Sequence, residues 1–215
     1  MPSFDVKKFH SLGKKIVGAG LNFRSVVKER NLSEPSEPVV FLKPTSSYLL
    51  EGLPIQIPVG FEVHHEVELG VIIRQKCKNI QPNEANNYIG GYCLALDLTA
   101  KNLMDISKSK GLPWTFGKGF DTACPISSAI PPDCLPNPED VRLWLSVNDV
   151  IKQDCRTSDM IFSISDLLAF ITKYMTLEPY DLILTGSPAG TGPIKKGDVI
   201  QSGLEDILHI KFNVN

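Results

Sequence analysis

The stretch from Val63 to Ile73 constrains the fold more than any other part of the sequence, because it has the composition of one buried strand and carries two carboxylates. Side chains two residues apart in a strand point to the same face, so Glu66 and Glu68 are expected to be neighbours, roughly 6.5–7 Å apart at Cα. The apolar residues after them favour a central, covered strand. Two like charges would repel there, and a bound cation would remove the repulsion. The alternative is two surface glutamates on an edge strand.

A second apolar segment, from Tyr88 to Thr99, carries Asp97 near its end. Aspartate is depleted in strands and is rarely buried without a partner, so this carboxylate requires one. Three carboxylates with no cysteine among them favour a hard cation with oxygen ligands, such as magnesium, manganese or calcium. The two strands together therefore predict a metal site.

The length and charge of the chain favour small-molecule chemistry. Its 215 residues are enough for a large core and predict a single soluble domain with a short N-terminal appendage. The net charge is −2 and there is no basic run, so the sequence offers no footprint for nucleic acid or for an acidic membrane surface. No apolar run reaches the roughly 18–20 residues of a membrane span, and none is typical of a secretory signal.

The cysteines and the N-terminus bear on the compartment. Five cysteines are scattered without a close pair, which argues against a disulfide framework or a zinc ribbon and favours a reducing compartment. Residues 1–20 carry four lysines against one acid. This excess of positive charge is compatible with a short mitochondrial targeting segment, although such segments are usually rich in arginine. A cytoplasmic location is the alternative.

Three flanking segments predict local structure. The hydroxyl of Thr99 is expected to cap a helix that ends near Gly111. A core-packing helix with helical apolar spacing is expected to begin at Ser165 and to reach Met175. The Asn148-Asp149 pair between two apolar runs predicts a β-hairpin.

Three other segments have features of a ligand site. Residues 24–30 predict a short helix before a Ser/Glu/Pro-rich loop, which is compatible with a mobile lid or with an inert surface helix. The glycine-rich, aromatic segment 111–121 contains Lys118, which is either a ligand contact or a solvated charge. The glycine- and hydroxyl-rich loop at 185–193 lacks the lysine of a P-loop, so it offers backbone N–H groups to a carboxylate or forms a structural turn.

Several ordered blocks of sequence resemble those of the fumarylacetoacetate hydrolase superfamily, in its small acylpyruvase and oxaloacetate decarboxylase branch. The likeness runs from about Lys14 to Val214, so residues 1–13 are assigned to an N-terminal extension and residues 14–215 to a single catalytic domain. It implies an α+β, predominantly β fold, a mixed β-roll with a few short helices, and a homodimer. The blocks are residues 41–44, 64–69, 96–100, 110–115 and 183–190.

The resemblance also implies a site. Magnesium or manganese would be held by Glu66, Glu68 and Asp97, and would chelate the 2-oxo carboxylate of an acylpyruvate or of oxaloacetate. A divalent ion stabilises enolate charge as a Lewis acid, and the family's active-site lysine corresponds to Lys118. Glu29 corresponds to the glutamate of a lid. The substrate-binding residues carried over are Asn22, Lys101, Thr185, Gly186 and Ser187.

The chain departs from the family pattern at the lid. Val26 stands where the hydrolases carry the histidine of a water-activating His–Glu pair, Lys101 where an arginine is usual, and Met104 where a glutamine is usual. Valine and methionine can neither accept a proton nor orient a water molecule. Two hypotheses follow. The first is a metal-dependent enzyme of enolate chemistry on small 2-oxo acids, an acylpyruvate hydrolase and/or an oxaloacetate decarboxylase or tautomerase, with hydrolysis in doubt. The second is a catalytically impaired relative that binds a metal and a 2-oxo acid.

Overall fold

A computed structural model describes residues 4–215 of the chain. In this range α-helices are few and short, as expected: α1 (Phe9–Leu12), α2 (Arg24–Glu29), α3 (Lys101–Lys110), α4 (Thr115–Lys118) and α5 (Ile164–Tyr174). The β-strands are β1 (Ile16–Gly20), β2 (Val39–Lys43), β3 (Tyr48–Leu50), β4 (Val63–His65), β5 (Val67–Ile73), β6 (Ile89–Leu96), β7 (Thr99–Ala100), β8 (Cys124–Ile126), β9 (Arg142–Val147), β10 (Val150–Arg156), β11 (Leu182–Leu184), β12 (Gly192–Pro193), β13 (Val199–Leu204) and β14 (Leu208–Asn213). Short 3-10 turns lie at Val6–Lys8, Thr45–Ser47, Pro82–Tyr88, Pro132–Cys134, Pro138–Asp140 and Thr157–Asp159.

The largest sheet has seven strands in the order β2-β1-β11-β5-β6-β8-β3. It is mixed, because β1 pairs with β11 and β3 with β8 in parallel, whereas the other neighbours are antiparallel. Every residue of β5 is buried, which is the pattern of a strand covered on both faces. The prediction of a central strand for the residues after Glu66 is therefore confirmed, and the α+β, predominantly β fold class is confirmed with it.

Two smaller sheets complete the fold. One has four strands in the order β10-β9-β13-β14, and the other has three in the order β12-β4-β7. The predicted hairpin is confirmed, because β9 and β10 pair across Asn148 and Asp149. Both turn residues have positive φ, 51° and 64°, as a two-residue type I′ turn requires.

The stretch from Val63 to Ile73 is not one strand, and this part of the prediction is wrong. The chain leaves the three-stranded sheet after β4 and enters the seven-stranded sheet at β5, with Glu66 at the break. The partner segment breaks at the same level, between β6 and β7, where Asp97 lies. The Asp97 N–H donates to the Glu66 carbonyl at 2.8 Å, so two adjacent segments cross from one sheet to the other together. Side-chain alternation does not continue through such a break.

The N-terminal caps of helices α3 and α5 differ from the predicted ones. Thr99 does not cap α3: the N-cap position is Ala100, and the Thr99 hydroxyl donates to the Asp97 carbonyl at 3.1 Å instead. The C-terminus of α3 is as predicted, because Gly111 follows it in the left-handed conformation. Helix α5 begins one residue before Ser165, and its cap is Ser163, which forms a capping box with Asp166.

The core occupies both faces of the seven-stranded sheet. The larger hydrophobic cluster joins this sheet to the four-stranded sheet and to α5. The smaller cluster lies on the opposite face and includes Phe9, which is 1% exposed, beside Ile16 and Ile72. The part of the predicted N-terminal extension that the structure describes, residues 4–13, therefore packs against this face, whereas residues 1–3 lie outside the described range.

Two further expectations can be compared with the fold. All five cysteines lie in the described range, and all are free thiols. Among residues 4–215, no helix has both the length and the apolar character needed to cross a membrane.

Candidate active site

Three carboxylates meet where the chain crosses between the sheets. Glu66 lies at the break before β5, Glu68 lies on β5, and Asp97 directly follows β6. The antiparallel register of β5 and β6 places Val67 opposite Leu96, which brings the three side chains to the same end of the strand pair. One oxygen of each carboxylate lies within 4.8 Å of the other two. We call these three residues the carboxylate cluster.

Two lysines neutralise part of this charge. The Lys118 ammonium donates to Glu66 Oε2 at 3.1 Å, to the Thr99 hydroxyl at 2.7 Å and to an oxygen of Asp97. The Lys43 ammonium donates to the other oxygen of Asp97 at 2.6 Å and to the Leu98 carbonyl at 3.1 Å. Asp97 therefore has two cationic partners, Glu66 has one, and three carboxylates face two ammonium groups.

The protonation preferences differ within the cluster. Burial opposes ionisation of Asp97, but the Lys118 and Lys43 ammonium groups outweigh it and hold its pKa below the ordinary value. For Lys118, burial opposes the charged form, but Asp97 and Glu66 outweigh it and raise the pKa. Burial raises the pKa of Glu66, although Lys118 opposes the change. The pKa of Glu68 is raised well above its ordinary value by burial and by the charges of Asp97 and Glu66.

The cluster fits a hard divalent cation. All of its donor atoms are carboxylate oxygens, which magnesium and manganese prefer. Glu68 has the least compensated charge of the three, because burial and the charges of Asp97 and Glu66 oppose its ionisation. A divalent ion at the cluster would compensate this charge directly.

The predicted carboxylate-binding loop lies behind the cluster. The Gly186 N–H donates to Glu68 Oε2 at 2.6 Å, and the Thr185 hydroxyl donates to the Leu69 carbonyl at 2.9 Å. The Asn22 side chain is buried, donates to the carbonyl groups of Thr185 and Phe162, and accepts the Phe162 N–H. These three predicted substrate residues therefore use their polar groups to fix the loop and Glu68.

The cavity beside the cluster contains the other predicted substrate residues. Ser187 and Lys101 both line it, and the Lys101 ammonium also pairs with the Asp105 carboxylate at 2.6 Å. The cavity has a volume of about 460 Å³. Glu66, Glu68 and Lys118 also line it. This volume and lining suit a small anionic molecule with a flexible or apolar extension.

The lid helix α2 forms one wall of this cavity. Val26, at the position where the hydrolases carry a histidine, lines the cavity and is buried. Glu29 is exposed, and its carboxylate accepts the Gly190 N–H at 3.1 Å. Met104, where a glutamine is usual, also lines the cavity. The side chains that face the cavity at the Val26 and Met104 positions therefore cannot activate water.

Sequence reasoning gave no role to Lys43 and Gln153, which hold residues of the site in place. Lys43 belongs to the block at residues 41–44, and the signal was a lysine at the end of an apolar run. Gln153 had no signal, because it lies beyond a register shift in β10 that turns its side chain inward. Its carbonyl accepts the Val67 N–H at 3.1 Å and contacts His65 Nδ1 at 3.0 Å. Its amide donates to Ser187 Oγ and to the Pro188 carbonyl, both at 2.8 Å.

Comparison with known proteins agrees with this architecture. Residues 15–215 match the model of the family described as fumarylacetoacetate (FAA) hydrolase, C-terminal. The chain belongs to this family. Its carboxylate cluster and its cavity both lie within the matched range.

Two relatives of this chain are named as enzymes that act on oxaloacetate. The mitochondrial oxaloacetate decarboxylase of Dictyostelium discoideum is 49% identical over 201 residues, which cover 93% of this chain and 92% of that protein. The mitochondrial oxaloacetate tautomerase FAHD1 of Bos taurus is 43% identical over 210 residues, which cover 97% and 95%. Among solved structures, a fumarylacetoacetate hydrolase family protein of yeast is 36% identical with a TM-score of 0.88, covering 97% of this chain and 96% of that one. The predicted family and its mixed β-roll are confirmed.

Proposed function

We propose that this member of the fumarylacetoacetate hydrolase family holds magnesium or manganese on Glu66, Glu68 and Asp97 and acts on a small 2-oxo acid. The reaction is enolate chemistry: decarboxylation or keto–enol tautomerisation of oxaloacetate, with acylpyruvate hydrolysis as a further activity of the same site. The observation that carries this proposal is the cluster of three carboxylates, with Glu68 and Asp97 buried and Glu66 partly buried, beside a lysine ammonium at a cavity. The names of the relatives support the substrate class and a mitochondrial location.

A divalent cation on the cluster supplies a Lewis acid that stabilises negative charge developing on the 2-oxo group. Lys118 adds a second positive charge next to that position. Burial opposes the charged form of Lys118, but Asp97 and Glu66 raise its pKa, so its ammonium form can act as an electrostatic partner or proton donor. Thr99 and Asp97 orient its nitrogen through their hydrogen bonds.

Two other assigned residues can contact the substrate from the sides of the cavity. Ser187 and Lys101 line it and offer donors to a carboxylate. The lid carboxylate Glu29 is the candidate proton acceptor, because it is the assigned carboxylate outside the metal set. Decarboxylation and tautomerisation need no activated water, whereas hydrolysis of a carbon–carbon bond does. The lining by Val26 therefore favours the first two reactions over the third.

The second candidate is a catalytically impaired relative that binds metal and a 2-oxo acid. The apolar side chains of Val26 and Met104 in the cavity favour it. The deciding experiment is an assay of purified protein with oxaloacetate and with an acylpyruvate, each with magnesium and with EDTA. We expect magnesium-dependent turnover of oxaloacetate and slower hydrolysis of the acylpyruvate. No turnover of either substrate, together with magnesium-dependent binding of oxalate, would establish the second candidate instead.

We also propose a homodimer, the assembly that the family resemblance implies. The exposed side chains of Leu42 and Leu112 line one groove beside the edge strand β2, and Phe116 is 80% exposed nearby in sequence. A second copy of the chain would cover apolar surface of this kind. Light scattering of the purified protein checks the mass. A monomer across micromolar concentrations would refute the proposal.

A further inference from the structure

We infer that Arg30, at the end of the lid helix, binds the C4 carboxylate of oxaloacetate and thereby favours keto–enol exchange over decarboxylation. The inference rests on the proposed function, because it assumes that the 2-oxo carboxylate end of the substrate lies at the carboxylate cluster. Arg30 lines the same cavity as Glu66 and Glu68. A small dicarboxylate bound at the cluster therefore has a guanidinium group in the wall of its own cavity.

The lid helix directs Arg30 to the cavity. The Arg30 N–H donates to the Val26 carbonyl at 3.0 Å, so the two residues are one helical turn apart. Side chains four positions apart lie on the same face of a helix, and Val26 lines the cavity. Because Arg30 is also exposed, its guanidinium lies where the cavity meets solvent. We call this region the cavity mouth.

The guanidinium of Arg30 forms no ion pair among residues 4–215. Within the same range its side chain makes one hydrogen bond, a long one of 3.5 Å from Nη2 to the Thr191 hydroxyl. The neighbouring Glu29 carboxylate accepts the Gly190 N–H at 3.1 Å instead. Most of the five N–H donors of the guanidinium are therefore free to bind an anion in the cavity.

The other cations of the cavity are less suited to a second carboxylate. The Lys118 ammonium is bound to the carboxylate cluster. The Lys101 ammonium pairs with the Asp105 carboxylate at 2.6 Å. Lys108 lies over an aromatic ring. Only a guanidinium has the planar fork that binds a carboxylate through two parallel hydrogen bonds, so Arg30 is the best carboxylate partner in this lining.

The cavity mouth has an excess of positive charge. Burial lowers the pKa of Lys108, and the charges of Arg30 and Lys118 lower it further. These charges repel each other when the cavity contains no anion. A carboxylate bound by Arg30 beside Lys108 would compensate this repulsion, so the charges of the mouth favour a substrate with a second negative end.

Binding of the C4 carboxylate affects the two reactions of oxaloacetate differently. In keto–enol exchange a proton passes from C3 to the Glu29 carboxylate, and the Lys118 ammonium supplies one to the 2-oxo oxygen. The C4 carboxylate keeps its charge, and both side chains then exchange protons with solvent. In decarboxylation the C3–C4 bond breaks and C4 leaves as neutral CO₂. The electron pair of that bond forms the C2–C3 double bond, the 2-oxo oxygen takes the negative charge, and a proton from water then converts the enolate to pyruvate.

Arg30 therefore acts as a selector between these reactions. An ion pair with the C4 carboxylate stabilises a charge that is present in the bound substrate and disappears in the transition state for decarboxylation. Such an interaction raises the barrier to decarboxylation, because it is stronger in the ground state than in the transition state. The same interaction is kept throughout keto–enol exchange.

Oxaloacetate and its 4-amide, 2-oxosuccinamate, test the inference because they have nearly the same shape and differ in the charge on C4. Keto–enol exchange of both compounds is followed by the ultraviolet absorbance of the enol, and decarboxylation of oxaloacetate by the release of pyruvate. With saturating magnesium, kcat/KM for exchange by the native protein should be about tenfold higher with oxaloacetate, as expected for hydrogen bonds to a charged group.

Variants on the lid locate the effect. Arg30→Gln should lower kcat/KM for exchange of oxaloacetate about tenfold and change that of 2-oxosuccinamate by less than about twofold. It should also raise the ratio of decarboxylation to exchange. Arg30→Lys should keep part of the preference for oxaloacetate, because it keeps the charge without the fork. Lys28→Gln is the matched control, since it removes a positive charge from an exposed position of the same helix that does not line the cavity.

Each outcome decides the inference. If Arg30→Gln loses the same factor with both substrates, or if Lys28→Gln has the same effect, Arg30 does not bind the C4 carboxylate. An unchanged ratio of decarboxylation to exchange would overturn the role of Arg30 as a selector. If oxalate binds with magnesium but neither reaction is detected, displacement of oxalate by the two compounds gives the same comparison as affinities. No binding of oxalate would refute the proposed function together with the inference, whereas oxalate binding without an effect of Arg30 refutes the inference alone.

Discussion

Replacing Glu68 with glutamine is predicted to stabilise the metal-free protein and to abolish its response to magnesium. Glu68 is 1% exposed, and it accepts the Gly186 N–H at 2.6 Å, a bond that the amide oxygen of glutamine can keep. Its negative charge lies near the charges of Asp97 and Glu66. A neutral amide removes this repulsion and can donate a hydrogen bond to one of the two carboxylates.

Magnesium is expected to reverse the order of stability of the Glu68→Gln variant and the native protein. Single stabilising substitutions commonly add about 0.5–2 kcal/mol to the free energy of unfolding. At 2–4 °C per kcal/mol for a chain of this size, the melting temperature of the metal-free variant should rise by roughly 1–8 °C. Magnesium at 100 times its Kd adds about 2.7 kcal/mol to the native protein and nothing to a variant that does not bind it. The native protein should then become the more stable of the two.

The stability difference between the metal-free Glu68→Gln variant and the metal-free native protein should increase with pH. Because the pKa of Glu68 is raised in the folded state, the folded protein holds a proton that the unfolded chain has lost. The stability contributed by this group is present below the unfolded pKa of about 4.3 and is lost as pH rises through the folded pKa. The advantage of Glu68→Gln over the native metal-free protein should therefore be small near pH 4 and should increase as pH rises.

Thermal and urea unfolding with EDTA and with magnesium measure these changes. Glu62→Gln is the matched control, because Glu62 is exposed and outside the carboxylate cluster. It should alter neither the metal-free stability nor the magnesium response. A metal-free Glu68→Gln variant that is less stable than the native protein would show that the Glu68 charge is compensated. A variant that still gains 2 kcal/mol or more from magnesium would exclude Glu68 as a ligand.

Substitutions at three other positions separate the roles of neighbouring groups. Asp97→Asn should cost the metal-free protein about 3–5 kcal/mol, because it leaves the buried Lys43 ammonium without a carboxylate; a loss below 1 kcal/mol in urea unfolding would contradict this. Val26→His should raise acylpyruvate hydrolysis by up to roughly 10²–10⁴-fold with little change in oxaloacetate turnover. A native hydrolysis rate already near the enzyme median of about 10 s⁻¹ would show that another base exists. Gln153→Leu should weaken magnesium binding and oxalate binding together. Gln153→Glu keeps the acceptor for the Val67 N–H but loses both donors, so it should weaken mainly oxalate binding. If calorimetry shows that the two variants lose equal affinity for both ligands, this separation of roles is refuted.

The chemistry of the site could be predicted because its main signals are local. An acidic residue inside an apolar run is visible without any knowledge of the fold, and this identified Glu66, Glu68 and Asp97. The hairpin at Asn148 was predictable for the same reason, since two adjacent residues determine the turn. The fold class followed from the family blocks.

The errors and omissions have a different physical origin. The break at Glu66 depends on where the partner segment leaves its own sheet at Asp97, some thirty positions later in the chain. The role of Lys43 depends on a contact across strands that are distant in sequence. Gln153 reaches Val67 only because β10 has a register shift. Each of these features is fixed by pairing between remote segments, which no local pattern records.

The charge distribution also separates metal binding from the chemistry of the lid. Asp97 is compensated by two lysines and contributes to folding, whereas Glu68 lies beside two like charges that Lys118 and the Gly186 N–H compensate only in part. A buried carboxylate in this position is costly unless a cation binds, so its presence favours a retained metal function. The lid helix contacts the 185–190 loop through Glu29 and Gly190 and does not bond to the cluster among the described residues. Loss of the lid histidine at Val26 can therefore remove water activation while the cluster keeps the geometry needed to bind metal and a 2-oxo acid.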